Sequence, residues 1–140
     1  IVPERIDDKL EMENYYLLII KFLKFGVVGL SGLIIDFSLT YLFRNILKIN
    51  QYIANTIGFA VAATTNYIIN RIWTFTSHNP HIFEEYTKFF IVSLIGLAIN
   101  TLVLYILITR LKWKFYFSKF FAIGAATFWN FFINLIFTFN

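Results

Sequence analysis

The chain has 140 residues, of which 59% are hydrophobic and 14% charged, with a formal net charge of +4. A soluble domain averages roughly 45–50% apolar and about 25% charged residues, and a chain this short has too little interior to hide the excess. That balance excludes an ordinary water-soluble globule and points to lipid as the solvent. Cysteine is absent, which excludes a disulfide framework and thiolate chemistry. The positive charge suits anionic headgroups, but no basic run is long enough to suggest nucleic acid.

In chain order, residues 1–20 carry mixed charge and read as a lead-in, surface-bound or disordered, with 15–20 suited to the membrane interface. No small-residue cleavage site follows the first apolar stretch, so no signal peptide is expected. Four apolar stretches come next, each long enough to cross ~30 Å of hydrocarbon at ~1.5 Å per residue. They run over about 22–43, 52–72, 89–109 and 115–137. Short links after the first and third make two antiparallel hairpins, and 74–87 is the one substantial loop. His78 and His81 in that loop lack a third ligand at metal-binding spacing, and no cofactor is expected. Glu84 and Glu85 read as solvated loop residues.

The hairpins are copies. Shifted by 64 positions, residues 24–75 align with 88–139 without a gap, with 18 identities in 52. The matches include Lys24/Lys88, Gly32/Gly96, Lys48/Lys112, Tyr52/Tyr116, Asn66/Asn130, Asn70/Asn134, Thr74/Thr138 and Phe75/Phe139. Apolar bias alone does not repeat Asn, Lys and Gly in register. Each copy has an even number of spans, so this is a parallel repeat about an axis along the membrane normal. The expected fold is an all-α membrane protein of four transmembrane helices. Orientation stays open on charge: Arg5, Lys9, Lys21, Lys24, Arg71 and Lys88 on one side nearly balance Arg44, Lys48, Arg110, Lys112 and Lys114 on the other.

Polar residues at membrane depth are costly and mark candidate sites. Asp36 lies eight residues before Arg44 and calls for a cationic partner or for protonation. It reads either as a proton- or cation-linked site or as an interhelical hydrogen bond, and its repeat mate is Asn100. The second span carries Gly58, Ala62, Asn66 and Asn70 at four-residue spacing, and the fourth carries Ala122, Ala126, Asn130 and Asn134. Small residues four apart allow close helix approach, and amides four apart share a face. With Gly29, Gly32 and Thr40 in the first span and Ser93 and Gly96 in the third, these suggest one polar interior seam, with Leu, Ile and Phe toward lipid. Arg71 at the headgroup level suits phosphate or plain interfacial anchoring. Trp73, Trp113 and Tyr116 read as interfacial anchors, and Trp129 either packs or stacks on a ligand. No catalytic triad, nucleotide-binding glycine loop or acid pair in a common site is present, so no enzymatic activity is expected.

The segment Lys24-Phe25-Gly26-Val27-Val28-Gly29, Asp36, and the string Asn66-x-x-x-Asn70-Arg71-x-Trp73-Thr74-Phe75 resemble the GtrA-like family. The echo Trp129-Asn130-x-x-x-Asn134-x-x-Phe137-x-Phe139 fits its second half, and the resemblance covers about 21–139. It implies a small multi-pass protein of the prokaryotic cytoplasmic membrane, both termini cytoplasmic, that flips polyprenyl-phosphate-linked sugar for surface polysaccharide synthesis. It also implies a membrane glycosyltransferase as partner. The implied substrate-binding set is Asp36, Asn66, Asn70, Arg71, Asn100, Trp129, Asn130 and Asn134. Leu135 stands where the first copy has Arg71, so one arginine per protomer is available for phosphate. Alternatives are a scaffold for such a glycosyltransferase and a small proton-coupled exporter. Four helices enclose little volume for a sugar phosphate, so a homo-oligomer, most simply a dimer, is expected.

Overall fold

In a bilayer every backbone amide must find its partner within the chain, and helices do this locally. The computed structural model describes residues 3 and 5–140, with the side chains of Tyr52 and Tyr116 excepted; the expected Tyr116 anchor lies outside the described residues. It has four helices: α1 (Ile6–Tyr41), α2 (Gln51–Ile69), α3 (Ile82–Thr109) and α4 (Phe115–Ile133). Among the described residues, Ile6–Ile46, Ile82–Thr109 and Phe117–Thr138 are long and apolar enough to cross a membrane. With α2 they make an all-α, four-helix membrane protein of two antiparallel hairpins, α1 on α2 and α3 on α4.

α1 begins earlier than expected. Its 36 residues span ~54 Å against ~30 Å of hydrocarbon. No Gly or Pro interrupts the sequence from Ile6 to Phe25. The described part of the lead-in is therefore a largely exposed helical extension of the first span.

The repeat survives in three dimensions. α2 and α4 start and stop 64 residues apart, and each runs on into a π-helical turn, Asn70–Thr74 and Asn134–Thr138. Lys48 and Lys112 both take the left-handed conformation just beyond the ends of the first and third spans (φ 57° and 56°). That conformation costs a non-glycine residue roughly 1–2 kcal/mol. It lets Ile49 and Trp113 donate back to the carbonyls of Phe43 and Leu107 at 2.8 and 3.0 Å, closing the helix ends. Lys24 Nζ lies 5.2 Å from the Trp73 ring, and Lys88 Nζ lies 5.1 Å from the Phe137 ring, again 64 apart.

The hairpins meet through aromatics rather than amides. Phe25, Tyr67, Phe75, Phe89 and Phe131 form the buried cluster. Repeat mates Phe75 and Phe139 stack on each other at 4.5 Å and 10°. Two mates in mutual contact mark the pseudo-twofold axis. Phe25 sits edge-on to Phe131 at 5.7 Å, and Tyr67 lies 5.7 Å from Phe89. This corrects the assignment of Phe to the lipid face: near the axis the rings are the core. Each such ring buries some 150–250 Å² in a defined geometry.

Candidate functional site

The polar residues form two seams, one inside each hairpin, in place of the single seam expected. Gly32 of α1 and Gly96 of α3 are buried. A Cβ on either would come within 2.4 Å of Asn66 Oδ1 or Asn130 Oδ1, respectively. Only glycine lets the amides of α2 and α4 lie against the neighbouring helix backbone, the small-residue logic of membrane packing. Gly29, grouped with this stripe by sequence, meets nothing within 4 Å and takes no part in the seam.

Among the described residues, Asn66 Oδ1, Asn130 Oδ1 and Asn134 Nδ2 are buried without a hydrogen-bond partner. A buried polar group left unpaired costs ~1–3 kcal/mol, so a fold retains such groups for a reason. The mates Asn70 and Asn134 are both buried. Each accepts a hydrogen bond at its Oδ1 from the hydroxyl four residues on, Thr74 and Thr138, at 2.7 Å. Asn70 therefore faces inward. The helix widens to π geometry at Asn70, which turns the residues beyond it away from the α-helical register on which Arg71 would curl back to the Asn66 and Asn70 face.

In the first hairpin, Asp36 Oδ1 accepts a hydrogen bond from the Thr40 hydroxyl at 3.2 Å. Both stand against buried Gly58 of α2, where a Cβ would lie 2.6 Å from Asp36 Oδ1. Asn100, its mate in α3, is half-buried. Trp129 donates its indole N–H to the Val92 carbonyl at 3.1 Å, tying α4 to α3, so its polar edge is spent on packing.

Arg71 departs most from expectation. Its guanidinium donates to Glu85 Oε1 and, at 2.7 Å, to the Asn79 carbonyl. Glu85 is 1% exposed. Its Oε1 also accepts from the Tyr67 hydroxyl at 3.0 Å, and its Oε2 accepts from the Ser77 hydroxyl at 2.7 Å. Arg71 is thus an ion-paired clamp between the end of α2, the 75–81 loop and the first turn of α3. It is neither a free phosphate-binding cation nor a snorkelling anchor, and Asn66 and Asn70 do not converge on it. The solvated-loop reading of Glu85 fails because α3 starts at Ile82 and its first turn carries the residue inward; Glu84 does point out, 3.4 Å from Lys88. Pro80 with two acids one turn on is a helix-start signal that the sequence contained.

The arrangement offers unpaired amide oxygens and an amide N–H inside the helix pairs, and a lysine at the loop end of each hairpin. Such groups can hold hydroxyls and an anion; the buried acid Glu85 is fully engaged. Residues 24–139 match the family described as GtrA/DPMS, transmembrane domain. A curated relative, the dolichol-phosphate mannosyltransferase of Pyrococcus furiosus, is 35% identical over 89 residues. The match covers 63% of this chain and 25% of the relative, so the chain corresponds to about a quarter of that protein's length.

Proposed function

We propose, from the premise that this chain belongs to the GtrA/DPMS transmembrane-domain family, that it moves polyprenyl-phosphate-linked sugar across the cytoplasmic membrane of a prokaryote. The observation that carries the reading is the pair of repeat-related, buried, unpaired amide oxygens of Asn66 and Asn130. Sugar hydroxyls are the donors such acceptors lack. The relative's name joins a polyprenyl phosphate to a hexose, which fits a lipid-linked sugar as cargo. The anionic end of the carrier is assigned to Lys24 and Lys88 at the loop end, because Arg71 reaches a phosphate only by exchanging Glu85 for it. Asn134, Asn100 and Asp36 line the continuing seams. No group is assigned a catalytic role, and a homodimer supplies the volume that four helices lack.

If the amides serve cargo rather than packing, Asn66→Ala and Asn130→Ala should each lose only a little stability, since neither oxygen has a hydrogen bond to lose and only the side chain's packing on Gly32 or Gly96 goes. Each should nonetheless slow transbilayer movement by about tenfold or more, the worth of one or two hydrogen bonds. Amides kept for packing would give the reverse, a destabilised protein with normal movement per folded molecule. The relative is a transferase most of whose length lies outside the match, and this favours one second reading, a membrane support for a glycosyltransferase. That reading requires movement to depend on the added enzyme.

The proposal places both termini and the 75–81 loop in the cytoplasm. In this cysteine-free chain, Asn50→Cys should react with an impermeant maleimide on intact cells. His78→Cys, at an exposed loop position, should react only after permeabilisation. The opposite pattern inverts the topology.

A further inference from the structure

The two copies provide an internal control on Asp36. At the same place in the second hairpin stands Asn100, which keeps the shape and drops the charge. The neighbours change with it: Thr40 is matched by Leu104, and Gly58 by Ala122. The acid, its hydroxyl partner and the glycine that brings both against α2 therefore occur together in one hairpin and are absent together from the other. Since an amide suffices for the packing position, the charge of Asp36 has another use.

The surroundings leave that charge uncompensated. On α1 the partner is the Thr40 hydroxyl at 3.2 Å, and Arg44 stands eight residues on, ~12 Å along a helix. α2 carries no Asp, Glu, Lys, Arg or His from Gln51 through Asn70. α4 meets α1 through Phe128 and Phe131 against Phe22, near the loop end, and carries Lys119 toward the other end. Among the described residues no cation pairs with Asp36. An ionised carboxylate at membrane depth is costly, and this one can shed its charge only by taking up a proton.

We propose that Asp36 is the proton-binding site that couples this protein to a pH gradient, the proton travelling in the same direction as the anionic lipid; this rests on the transport reading above. Asn66 packs on Gly32, one helical turn along α1 from Asp36, so a phosphate that leaves Lys24 and moves along the seam past Asn66 comes within ~6 Å along the axis of the carboxylate. Two negative charges that close in a partly buried setting disfavour each other on the order of a hundredfold. The seam admits the phosphate once the carboxylate has become a carboxyl, and returns the proton when the lipid leaves. No bond to carbon or phosphorus forms or breaks. One proton accompanies one phosphodiester charge, so the cycle is electroneutral.

The experiment uses the full chain in proteoliposomes with a fluorescent short-chain polyprenyl phosphohexose, under an imposed pH gradient of either sign or an imposed potassium diffusion potential. Wild type should respond about tenfold to the gradient and reverse with its sign, while ignoring the potential. Asp36→Asn, the residue nature uses in the second copy, should lose the response. A gradient-independent wild type, or a gradient-responsive Asp36→Asn, overturns the proposal. Dicyclohexylcarbodiimide, which attacks protonated carboxyls in apolar surroundings, should label Asp36 in the same vesicles. If the probe does not move at all the transport reading fails, and labelling then decides the proton site alone: modification at Asp36 retains it, and none removes it.

Discussion

Replacing Glu85 with alanine should lower the thermal unfolding midpoint of the detergent-solubilised protein by on the order of 10 °C. The side chain is buried and satisfies three groups at once: the Arg71 guanidinium and the hydroxyls of Tyr67 and Ser77. Removing it takes from a guanidinium and two hydroxyls the buried carboxylate that they share, the costly way to break an ion pair. Arg71→Gln should act in the same direction, by stranding the carboxylate. The double substitution Arg71→Leu with Glu85→Leu should recover part of the loss, because apolar pairs of similar volume often replace buried ion pairs without penalty. Glu84→Ala, one residue away and exposed beside Lys88, should shift the midpoint by no more than about 2 °C. Midpoints from intrinsic tryptophan fluorescence decide the matter. An Arg71→Gln protein as stable as wild type would return Arg71 to the status of an interfacial anchor.

The second large effect belongs to Gly58→Val. A Cβ here meets the Asp36 backbone carbonyl at 2.8 Å as well as the side chains of Asp36 and Thr40. A backbone oxygen does not swing aside, so α2 must back away from α1 along its length. Overpacking of this kind costs about 1–3 kcal/mol, before any loss of the seam. Gly32→Ala is the milder case, since it meets the tip of the Asn66 side chain. Gly29→Ala is the control: nothing lies within 4 Å of its new methyl, and helix propensity favours alanine by up to about 1 kcal/mol. Chemical or thermal unfolding of the three variants should rank Gly58→Val well below Gly32→Ala, with Gly29→Ala at or above wild type. Equal effects at all three would mean that the helices of the first hairpin do not approach as described.

These contrasts show what the sequence carried and what it did not. The four spans, the hairpin pairing and the parallel repeat were legible because they rest on run length and on identities 64 residues apart. Both signals survive without knowledge of side-chain direction. The partners of individual polar groups were less legible. Four-residue spacing places Asn66 and Asn70 on one face of an ideal α-helix, but the π turn beginning at Asn70 rotates the residues beyond it, and neither amide meets Arg71. Small residues marked Gly32, Gly58 and Gly96 correctly as close approaches, yet the same pattern swept in Gly29. Spacing says which residues share a stripe, not which neighbour the stripe faces. The merging of two seams into one has the same origin: repeat-related stripes look alike, and only the aromatic stack at Phe75 and Phe139 reveals what occupies the axis between them. The inward turn of Glu85 is not legible from hydropathy, because the apolar run of the third span starts only after Lys88, whereas a helix in a membrane protein continues past the hydrocarbon whenever capping and tertiary pairing favour it.

Transport remains the claim on which the rest depends, and the rate of transbilayer movement in vesicles that contain this protein and no glycosyltransferase tests it most directly. With a labelled polyprenyl phosphohexose in one leaflet, vesicles holding wild-type chain should equilibrate the probe between leaflets, and vesicles holding the Asn66→Ala, Asn130→Ala double variant should do so far more slowly. A wild-type rate indistinguishable from that of protein-free vesicles, for folded protein in either orientation, would contradict the account.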